Sequence, residues 1–388
     1  MGKPFDICIR GTGIVGRTLA LLLAKEGLRV ALAGAPLTAD AARTDVRAYA
    51  LNAASRATLD GLRCWPADAF ATAVHHMLVQ SNHQAAVHFD AAQLGVPALA
   101  WIADVPALQA RLADAIHYQA RIEWLAEPVS APLTAICEGR ASQTRQELGV
   151  EFDVSPYAQT AVATRILCSQ AHQQTARQWF SEGSILAFLP LNGAEGREMA
   201  VVWSVTPQRA ADLLELSGED FARQVQLASH GALGDVQIQG ERAAWPLQLA
   251  LARRWCGQIE GTQRAWVLAG DAAHTVHPLS GQGLNLGLAD AQALAKALAS
   301  RADWQGTHHL RSLRQYARER QAAMAPVRLG TDWLAQLFAR QQPAWQTLRE
   351  WGMQGFDRSG PLKHWAARQA MGATDIFTRT RASKEPEL

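Results

Sequence analysis

The chain has almost no net charge, few cysteines and no long apolar run. It has 37 basic and 35 acidic side chains among 388 residues, a net charge of +2. The two signs are interspersed, so the basic surface of a nucleic-acid-binding protein is not expected. Five scattered cysteines without metal-ligand spacing predict reduced thiols rather than a disulfide framework. No apolar run approaches the length of about eighteen residues that a membrane-spanning helix needs.

The chain also lacks a recognisable targeting segment and internal repeats. Its first apolar run is interrupted by Arg10 and by glycines, so it does not predict a signal peptide. Together with the thiols, this predicts a cytoplasmic protein, with peripheral attachment to the inner membrane as the alternative. The apolar fraction of 48% is ample for a core.

The most informative stretch spans residues 265–298, with the sequence AWVLAGDAAHTVHPLSGQGLNLGLADAQALAKAL. Its apolar start, 266–269, has the length of a buried strand that ends at Gly270 and Asp271. The segment 284–298 is typical of a helix. Between them lies a loop that contains Pro278, Gly281 and Gly283. A glycine loop feeding a helix N-terminus offers unpaired N–H groups and partial positive charge, which suit an anionic group such as a reduced flavin ring.

A second glycine motif lies at the start of the chain. Apolar segments at 5–10 and 28–33 predict two strands, and GTGIVG followed by a helix lies between them. In such a βαβ unit, Gly11 permits the tight turn, Gly13 lets a pyrophosphate approach the backbone, and Gly16 lets helix and strand pack closely. The motif predicts a dinucleotide site.

One expected part of that site is missing. The second strand of such a unit usually ends in an acid that binds the ribose hydroxyls. Here it ends in Ala33, Gly34 and Ala35. The sequence therefore predicts weaker anchoring of the adenosine half of the dinucleotide.

The two motifs together resemble those of flavoprotein aromatic hydroxylases, the class that includes p-hydroxybenzoate hydroxylase. The sequence GDAAHTVHPLSGQGLNLGLAD resembles the ubiquinone-biosynthesis hydroxylases (UbiH/UbiF-like) still more closely. The resemblance implies an α/β fold: a Rossmann-like βαβ domain for FAD, an inserted antiparallel-sheet substrate domain and a helical C-terminal region. It assigns 1–75, 98–150 and 255–300 to the FAD-binding domain, 76–97 and 151–254 to the substrate domain, and 301–388 to the C-terminal region.

The resemblance also assigns further contacts with FAD. It assigns Asp271 as a ligand of the ribityl chain. It assigns contacts with the flavin ring to Pro278, Gly281, Gly283, Leu284 and Asn285. In DVRAYALNAAS it places Arg47 near the flavin and the reduced nicotinamide nucleotide, and in the helix 106–117 it places Gln109 near FAD. It implies no single catalytic base, and none is assigned.

Two departures from the family pattern lie near residue 138. The sequence CEGRASQTR stands where A-D-G-x-x-S-x-x-R is usual, so Glu138 replaces an aspartate while Ser142 and Arg145 keep their places. The β meander that normally precedes this motif is reduced to AEPVSAPLTAI. Both departures touch the side of the fold that binds FAD and the nicotinamide nucleotide.

The implied activity is the hydroxylation of an electron-rich aromatic ring with O2, after NAD(P)H has reduced FAD. The implied substrate is a polyprenylated phenol on the way to ubiquinone. Two alternative functions stay open. One is a non-catalytic member of a quinone-biosynthesis assembly, favoured by the departures from the family pattern, and the other is a hydroxylase of a small soluble aromatic.

Aromatic residues recur in the C-terminal region. They either pack on the rest of the protein or form a patch that contacts a membrane surface, a partner or a polyprenyl tail. They are Trp333, Phe338, Trp345, Trp351, Phe356 and Trp365.

Histidines offer another interpretation of two segments. His274 and His277 with Asp271 could form a metal site, but two histidines and one carboxylate are a weak pattern that leaves the glycine loop unexplained. Four other histidines are candidates for a catalytic base, although single histidines in a strand usually make only hydrogen bonds. They are His75, His76, His83 and His88. The sequence therefore predicts no metal site.

Overall fold

The computed structural model describes residues 4–35, 45–81, 86–181, 183–276, 282–302 and 304–339. Side chains are described throughout these ranges except at Ser81, Ala194 and 326–339. The described residues form three sheets and eight helices.

The first glycine motif lies in a six-stranded sheet at the centre of the largest core. In spatial order its strands are β15 (Cys256–Gln258), β16 (Ala265–Leu268), β9 (Leu133–Ile136), β1 (Ile7–Arg10), β2 (Val30–Ala33) and β8 (Ile122–Leu125). All neighbours pair in parallel except β15 and β16. All four residues of β16 are buried. The predicted βαβ unit and the predicted strand before Gly270 are confirmed.

Helices cover this sheet and close the molecule. They are α1 (Ile14–Lys25), α2 (Ala53–Gly61), α3 (Val105–His117), α4 (Gln143–Glu147), α5 (Pro207–Glu215), α6 (Gly218–Ala228), α7 (Gly283–Ala299) and α8 (Leu310–Ala339). The helix α1 contacts α3 and α7. The helix predicted over 284–298 is confirmed as α7.

An eight-stranded sheet forms the second half of the molecule. In spatial order it contains β17 (His274–Thr275), β14 (Val236–Ala252), β10 (Phe152–Cys168), β13 (Glu198–Val205), β12 (Ser184–Pro190), β11 (Thr175–Ser181), β5 (His76–Ser81) and β6 (Ala86–Asp90). Its pairs are antiparallel apart from β5 with β11. The helices α5 and α6 cover one face over a core that includes Phe188, Met199 and Phe221.

A small antiparallel sheet connects the two halves. It contains β3 (Ala48–Leu51), β7 (Ala100–Asp104) and β4 (Ala71–Val74). Its buried Val74 and Ile102 pack with Ala176, Leu191 and Ala200 of the large sheet. The division into domains predicted from the sequence stays a prediction.

The strand β10 is longer than the sequence indicated, whereas β14 lies within one residue of the segment in which a strand was expected. Each has 17 residues, and the patterns predicted strands over 157–167 and within 236–251. Ala252 at the end of β14 belongs to the core of the six-stranded sheet, and Val162 and Ile166 of β10 belong to the core beneath α5 and α6. One strand pair therefore contributes to both cores.

The segment 207–229, which the sequence predicts to be helical, forms two helices rather than one. Leu216 has an extended backbone, with φ −60° and ψ 152°. The side chain of Ser217 then accepts a hydrogen bond from the backbone N–H of Asp220, which is the usual N-cap interaction. The cap starts a new helix, α6, in a new direction.

The aromatic tail lies largely outside this description. Trp345, Trp351, Phe356 and Trp365 are outside the described residues, and the side chains of Trp333 and Phe338 are not described. Within the described ranges, no helix combines the length and apolar character required to cross a bilayer.

Candidate cofactor and substrate site

One large cavity joins the glycine motifs to the eight-stranded sheet. Its volume is about 920 Å³. At one end it is lined by α1 at Gly13, by α3 at Gln109 and by the start of α7 at Gly283. At the other end it is lined by apolar side chains of the two antiparallel sheets. These include Val74, Met77, Phe89, Leu99, Ile185 and Leu189. The cavity thus has a polar, backbone-rich end and an apolar end.

The three glycines of the first motif have different surroundings. Gly11 has φ +114°, and a Cβ there would lie 2.3 Å from the carbonyl oxygen of Cys137. A Cβ on Gly16 would lie 2.0 Å from the carbonyl oxygen of Gly11. A Cβ on Gly13 would meet nothing within 4 Å, and Gly13 lines the cavity. Gly11 and Gly16 are therefore required by packing, whereas Gly13 leaves space for a ligand.

Two helices begin at the cavity. No described side chain caps α1 at Gly13 or α7 at Gln282. The first turns of both helices line the cavity. Their N–H groups and partial positive charge favour anionic ligand groups.

Asp271 follows β16 in a short turn and faces the cavity. Its side chain is accessible from the cavity, and the cavity itself is surrounded by protein. Burial therefore raises the pKa of Asp271, and the positive charges of His274 and Arg140 only partly oppose this. Among the described residues no hydrogen bond stabilises this carboxylate, so hydroxyl groups of a ligand fit it well.

Arg47 lies at the cavity wall as part of an ion pair. Its Nε and one terminal nitrogen, Nη2, donate to the two carboxylate oxygens of Asp45 at 2.8 and 2.7 Å. These bonds raise the pKa of Arg47 against an opposing effect of partial desolvation, and Tyr49 beside it adds to the increase. Arg47 is therefore a fixed positive charge at the cavity.

Gln109 is buried on α3, with 8% of its surface exposed, and lines the cavity. Its side-chain oxygen, Oε1, has no hydrogen-bond partner among the described residues. An unpaired buried acceptor is uncommon in a native protein and is typical of a ligand site. The structure therefore brings Gln109 to the cavity, and its contact with FAD stays a prediction.

The side chain of Asn285 holds α7 in place. Its Oδ1 accepts from the backbone N–H of Asn52 at 3.0 Å and from the Ser55 hydroxyl at 2.7 Å. Its Nδ2 donates to the carbonyl of Ala50 at 2.8 Å. Asn285 lines the cavity with Gly283 and Leu284. Pro278 and Gly281, predicted to join them, lie outside the described residues.

Glu138, the departure from the family pattern, has a structural role. Its carboxylate accepts from the Ser142 hydroxyl at 2.7 Å and from the Thr144 backbone at 3.0 Å, and it pairs with Arg10 at 3.0 Å. Burial alone would raise the pKa of Glu138, but these contacts outweigh it and lower the pKa. Glu138 therefore stabilises the start of α4.

Arg145 connects this motif to the turn that carries Asp271. It is buried and donates to the carbonyls of Ala272 at 3.0 Å and of Arg140 at 2.9 Å. Arg140 itself lines the cavity and donates to the carbonyl of Pro246. Sequence reasoning missed Arg140, although it stands inside the quoted motif between Gly139 and Ser142.

The structure gives His274, one of the three residues of the alternative metal site, other contacts. His274 is fully buried, stacks on Trp255, and lies with Nε2 2.6 Å from Asp290. Asp290 also accepts from Arg320 at 2.7 Å and from the backbone of Gly270 at 2.9 Å. His274 does not line the cavity that Asp271 faces, and His277 lies outside the described residues.

These features fit FAD. The space at Gly13, the unpaired acceptor of Gln109 and the two uncapped helices suit a ligand with a pyrophosphate and a polar ring. Gly34 shows why the ribose acid is absent at that position. It has φ +139°, and a Cβ there would lie 3.2 Å from the Thr12 methyl, so any longer side chain would be strained.

Comparison with known proteins identifies the family of the chain. The family described as "FAD binding domain" matches residues 108–328, more than half of the chain. A 3-demethoxyubiquinol 3-hydroxylase of Escherichia coli is 30% identical over 402 residues, covering 95% of this chain and 99% of the relative. Ubiquinone hydroxylase UbiL of Rhodospirillum rubrum is 29% identical over 412 residues, covering 96% and 91%.

Solved structures show the same fold. PqsL, a probable FAD-dependent monooxygenase from Pseudomonas aeruginosa, has a TM-score of 0.72 at 21% identity, covering 91% of this chain and 100% of that chain. The p-nitrophenol 4-monooxygenase PnpA from Pseudomonas putida has a TM-score of 0.71 at 18% identity, covering 96% and 98%.

Fold and site together define an FAD-dependent monooxygenase of the p-hydroxybenzoate hydroxylase type. The chain belongs to the FAD-binding family and, within it, to the UbiH/UbiF-like aromatic hydroxylases. The predictions of the family, the fold class, the enzyme class and the cofactor are thereby confirmed.

Proposed function

We propose that the protein hydroxylates the ring of a polyprenylated phenol during ubiquinone formation, with O2 as oxidant and NAD(P)H as electron donor. The main observation in support is a cavity of about 920 Å³ that is continuous from the proposed cofactor end to an apolar end. The names of the E. coli and R. rubrum relatives support a quinone-precursor substrate. Bound FAD would supply the reduction of O2 and the transfer of oxygen, which side chains alone do not perform.

The proposed position of FAD uses the residues assigned from the sequence. The N-terminus of α1 would hold its pyrophosphate, because Gly13 leaves space between the packing glycines Gly11 and Gly16. Asp271 would accept from its ribityl hydroxyls. The start of α7 would hold the flavin ring. The residues proposed to contact it are Gly283, Leu284 and Asn285, with Pro278 and Gly281 by resemblance.

The remaining residues position reactants and exclude water. Arg47, held by Asp45, offers a permanent positive charge for the ring or for the nicotinamide nucleotide. Gln109 offers its unpaired acceptor to FAD. The apolar side chains around Met77, Phe89 and Ile185 exclude water from the space beside the ring. Quinone-biosynthesis proteins or a membrane surface would deliver so apolar a substrate.

A direct test compares substrates on the FAD-loaded protein. We expect NAD(P)H oxidation coupled to hydroxylation of a phenol with a prenyl tail, detected by mass spectrometry of the product. The same ring without its tail should react poorly, because it leaves the apolar end of the cavity unfilled. Equal kcat/KM for both phenols would contradict the polyprenyl assignment and favour a small soluble aromatic. Absence of hydroxylation by a protein that binds FAD would instead favour the non-catalytic alternative.

Two glycine variants should separate cofactor binding from packing. Gly13→Ala places a methyl group in open space, so the FAD-free protein should keep its Tm. FAD affinity should fall at least about tenfold, because the methyl displaces the pyrophosphate from N–H donors worth roughly 1.5–3 kcal/mol each.

Gly16→Ala is the matched contrast, because its methyl meets the Gly11 carbonyl at 2.0 Å. Such overpacking costs roughly 1–3 kcal/mol of the free energy of unfolding. Calorimetry without FAD and fluorescence titration with FAD measure the two effects. Equal FAD affinity in Gly13→Ala and the unaltered protein would contradict the placement of the pyrophosphate.

A further inference from the structure

The hairpin of β5 and β6 brings together two histidines and an aspartate that are not part of the proposed FAD site. Ligand atoms of His76, His88 and Asp90 all lie within 4.8 Å of one another. The hairpin register explains this, because His76 is opposite Asp90 and Leu78 is opposite His88. Opposite residues share one face of a sheet, and the diagonal partner also lies within reach. All three side chains therefore lie on the same face.

We propose that these three residues bind a divalent transition-metal ion of the zinc class. Two imidazoles and one carboxylate are the donors that Zn²⁺, Ni²⁺ or Cu²⁺ accept, whereas Mg²⁺ and Ca²⁺ prefer oxygen ligands. Three protein ligands leave further positions of the ion to water. His88 is exposed and the other two side chains are half-buried, so water can reach the ion.

The separation of one pair of donor atoms, on His76 and Asp90, fits a shared ion better than a direct hydrogen bond. His76 Nδ1 and Asp90 Oδ2 are 3.4 Å apart. Yet Nδ1 is shielded from solvent and makes no hydrogen bond to the described residues. With metal–ligand bonds of about 2.0–2.1 Å, two ligands of a tetrahedral ion lie about 3.3 Å apart. The observed separation matches that value.

The carboxylate of Asp90 is already oriented for this role. Its other oxygen, Oδ1, accepts from the backbone N–H groups of Ala92 at 2.7 Å and Gln93 at 3.2 Å. These bonds fix the orientation of the carboxylate while its Oδ2 lies beside His76. Arg177 lies on the same face, on β11 beside β5 and opposite Leu78, and among the described residues it forms no ion pair with Asp90.

The opposite face of the same hairpin belongs to the cavity wall. Met77 and Phe89 are directly opposed in the hairpin, and both line the cavity. The strand β6 is an edge strand, paired only with β5 among the described strands. An ion bound between β5 and β6 would hold these two strands together. It would thereby also hold Met77 and Phe89 in the apolar wall of the cavity. The inference is independent of the proposed hydroxylation, because it requires neither FAD nor substrate.

Titration of the full, chelator-treated chain with Zn²⁺ in a calorimeter tests the proposal. We expect one equivalent to bind in the micromolar range and to raise the Tm. His76→Gln, His88→Gln and Asp90→Asn should each weaken binding at least about tenfold, since loss of outer hydrogen-bond partners alone weakens metal sites by that factor. Asp90→Asn keeps an acceptor for Ala92 and Gln93, so its metal-free Tm should change little.

His117→Gln is the matched control, because His117 is an exposed histidine at the end of α3, outside the cluster. Its Zn²⁺ affinity should equal that of the unaltered chain. Substitution of Co²⁺ should give a visible spectrum that disappears in His88→Gln. No binding by the unaltered chain, or full binding by the three variants, would overturn the proposal, since an ion that survives them lies elsewhere.

Discussion

Replacing Asp271 by alanine is expected to weaken FAD binding at least about tenfold while the FAD-free protein keeps its stability. The carboxylate faces the cavity rather than the core, so its hydrogen bonds are made to the ligand. Hydrogen bonds to a charged group contribute roughly 1.5–3 kcal/mol. Fluorescence titration with FAD measures the first effect, and calorimetry of the FAD-free protein measures the second.

The sign of the stability effect follows from the pKa of Asp271. Burial raises that pKa in the folded chain above its unfolded value. An acid whose pKa is raised on folding opposes folding when it is ionised, so the FAD-free variant should be at least as stable at neutral pH. Asp114→Ala, an exposed aspartate on α3, is the matched control and should alter neither property. Unchanged FAD affinity in Asp271→Ala would remove the central contact of the proposed site.

Replacing Asp290 by alanine should be the most destabilising change that we predict. Asp290 is fully buried between His274 and Arg320, and it also accepts from the backbone of Gly270. Removal of one partner from a buried ion pair costs roughly 3–5 kcal/mol, because the other charge stays buried and unpaired. Urea unfolding of the FAD-free variant measures this loss. FAD affinity should fall as well, since Gly270 precedes Asp271.

Asp60→Ala provides the control for Asp290→Ala. Asp60 pairs with Arg56 on the exposed face of α2, and such a pair contributes at most about 1 kcal/mol. A loss in Asp290→Ala no larger than that of Asp60→Ala would show that the buried cluster does not stabilise the fold.

The buried pair also predicts a dependence on pH. Burial alone would raise the pKa of Asp290, but His274 and Arg320 outweigh it and lower the pKa below its unfolded value. Its contribution is therefore complete above the unfolded value of about 3.9 and is lost as the pH falls through the folded value. The stability difference between the unaltered chain and Asp290→Asn should shrink in strong acid.

Most of the fold prediction depended on patterns among residues that are close in the sequence. The spacing of Gly11, Gly13 and Gly16 and the strand before Gly270 depend on neighbouring residues, and the structure confirms both elements. The break at Leu216 was missed because a helical pattern continues across it, whereas the extended Leu216 ends the first helix and the cap by Ser217 starts the second. Periodicity does not report such a cap.

Long-range side-chain partners could not be predicted. Asp290 reaches His274 and Arg320 across the tertiary fold, and no spacing rule joins the three. The same holds for the hairpin ligands, because a slip of one residue in the register of β5 and β6 would move His88 and Asp90 to the other face. The role of Glu138 also depends on its contact with Arg10, far away in the sequence.

The long strands β10 and β14 have a consequence for how the enzyme moves. Each spans roughly 55 Å at the usual rise per residue, and their hydrogen bonds continue from one core to the other with register shifts near Pro156 and Ala163. A hinge between the two halves would have to break that ladder. Access for a bulky substrate is therefore expected to come from loops at the cavity mouth, while the two halves move as one body.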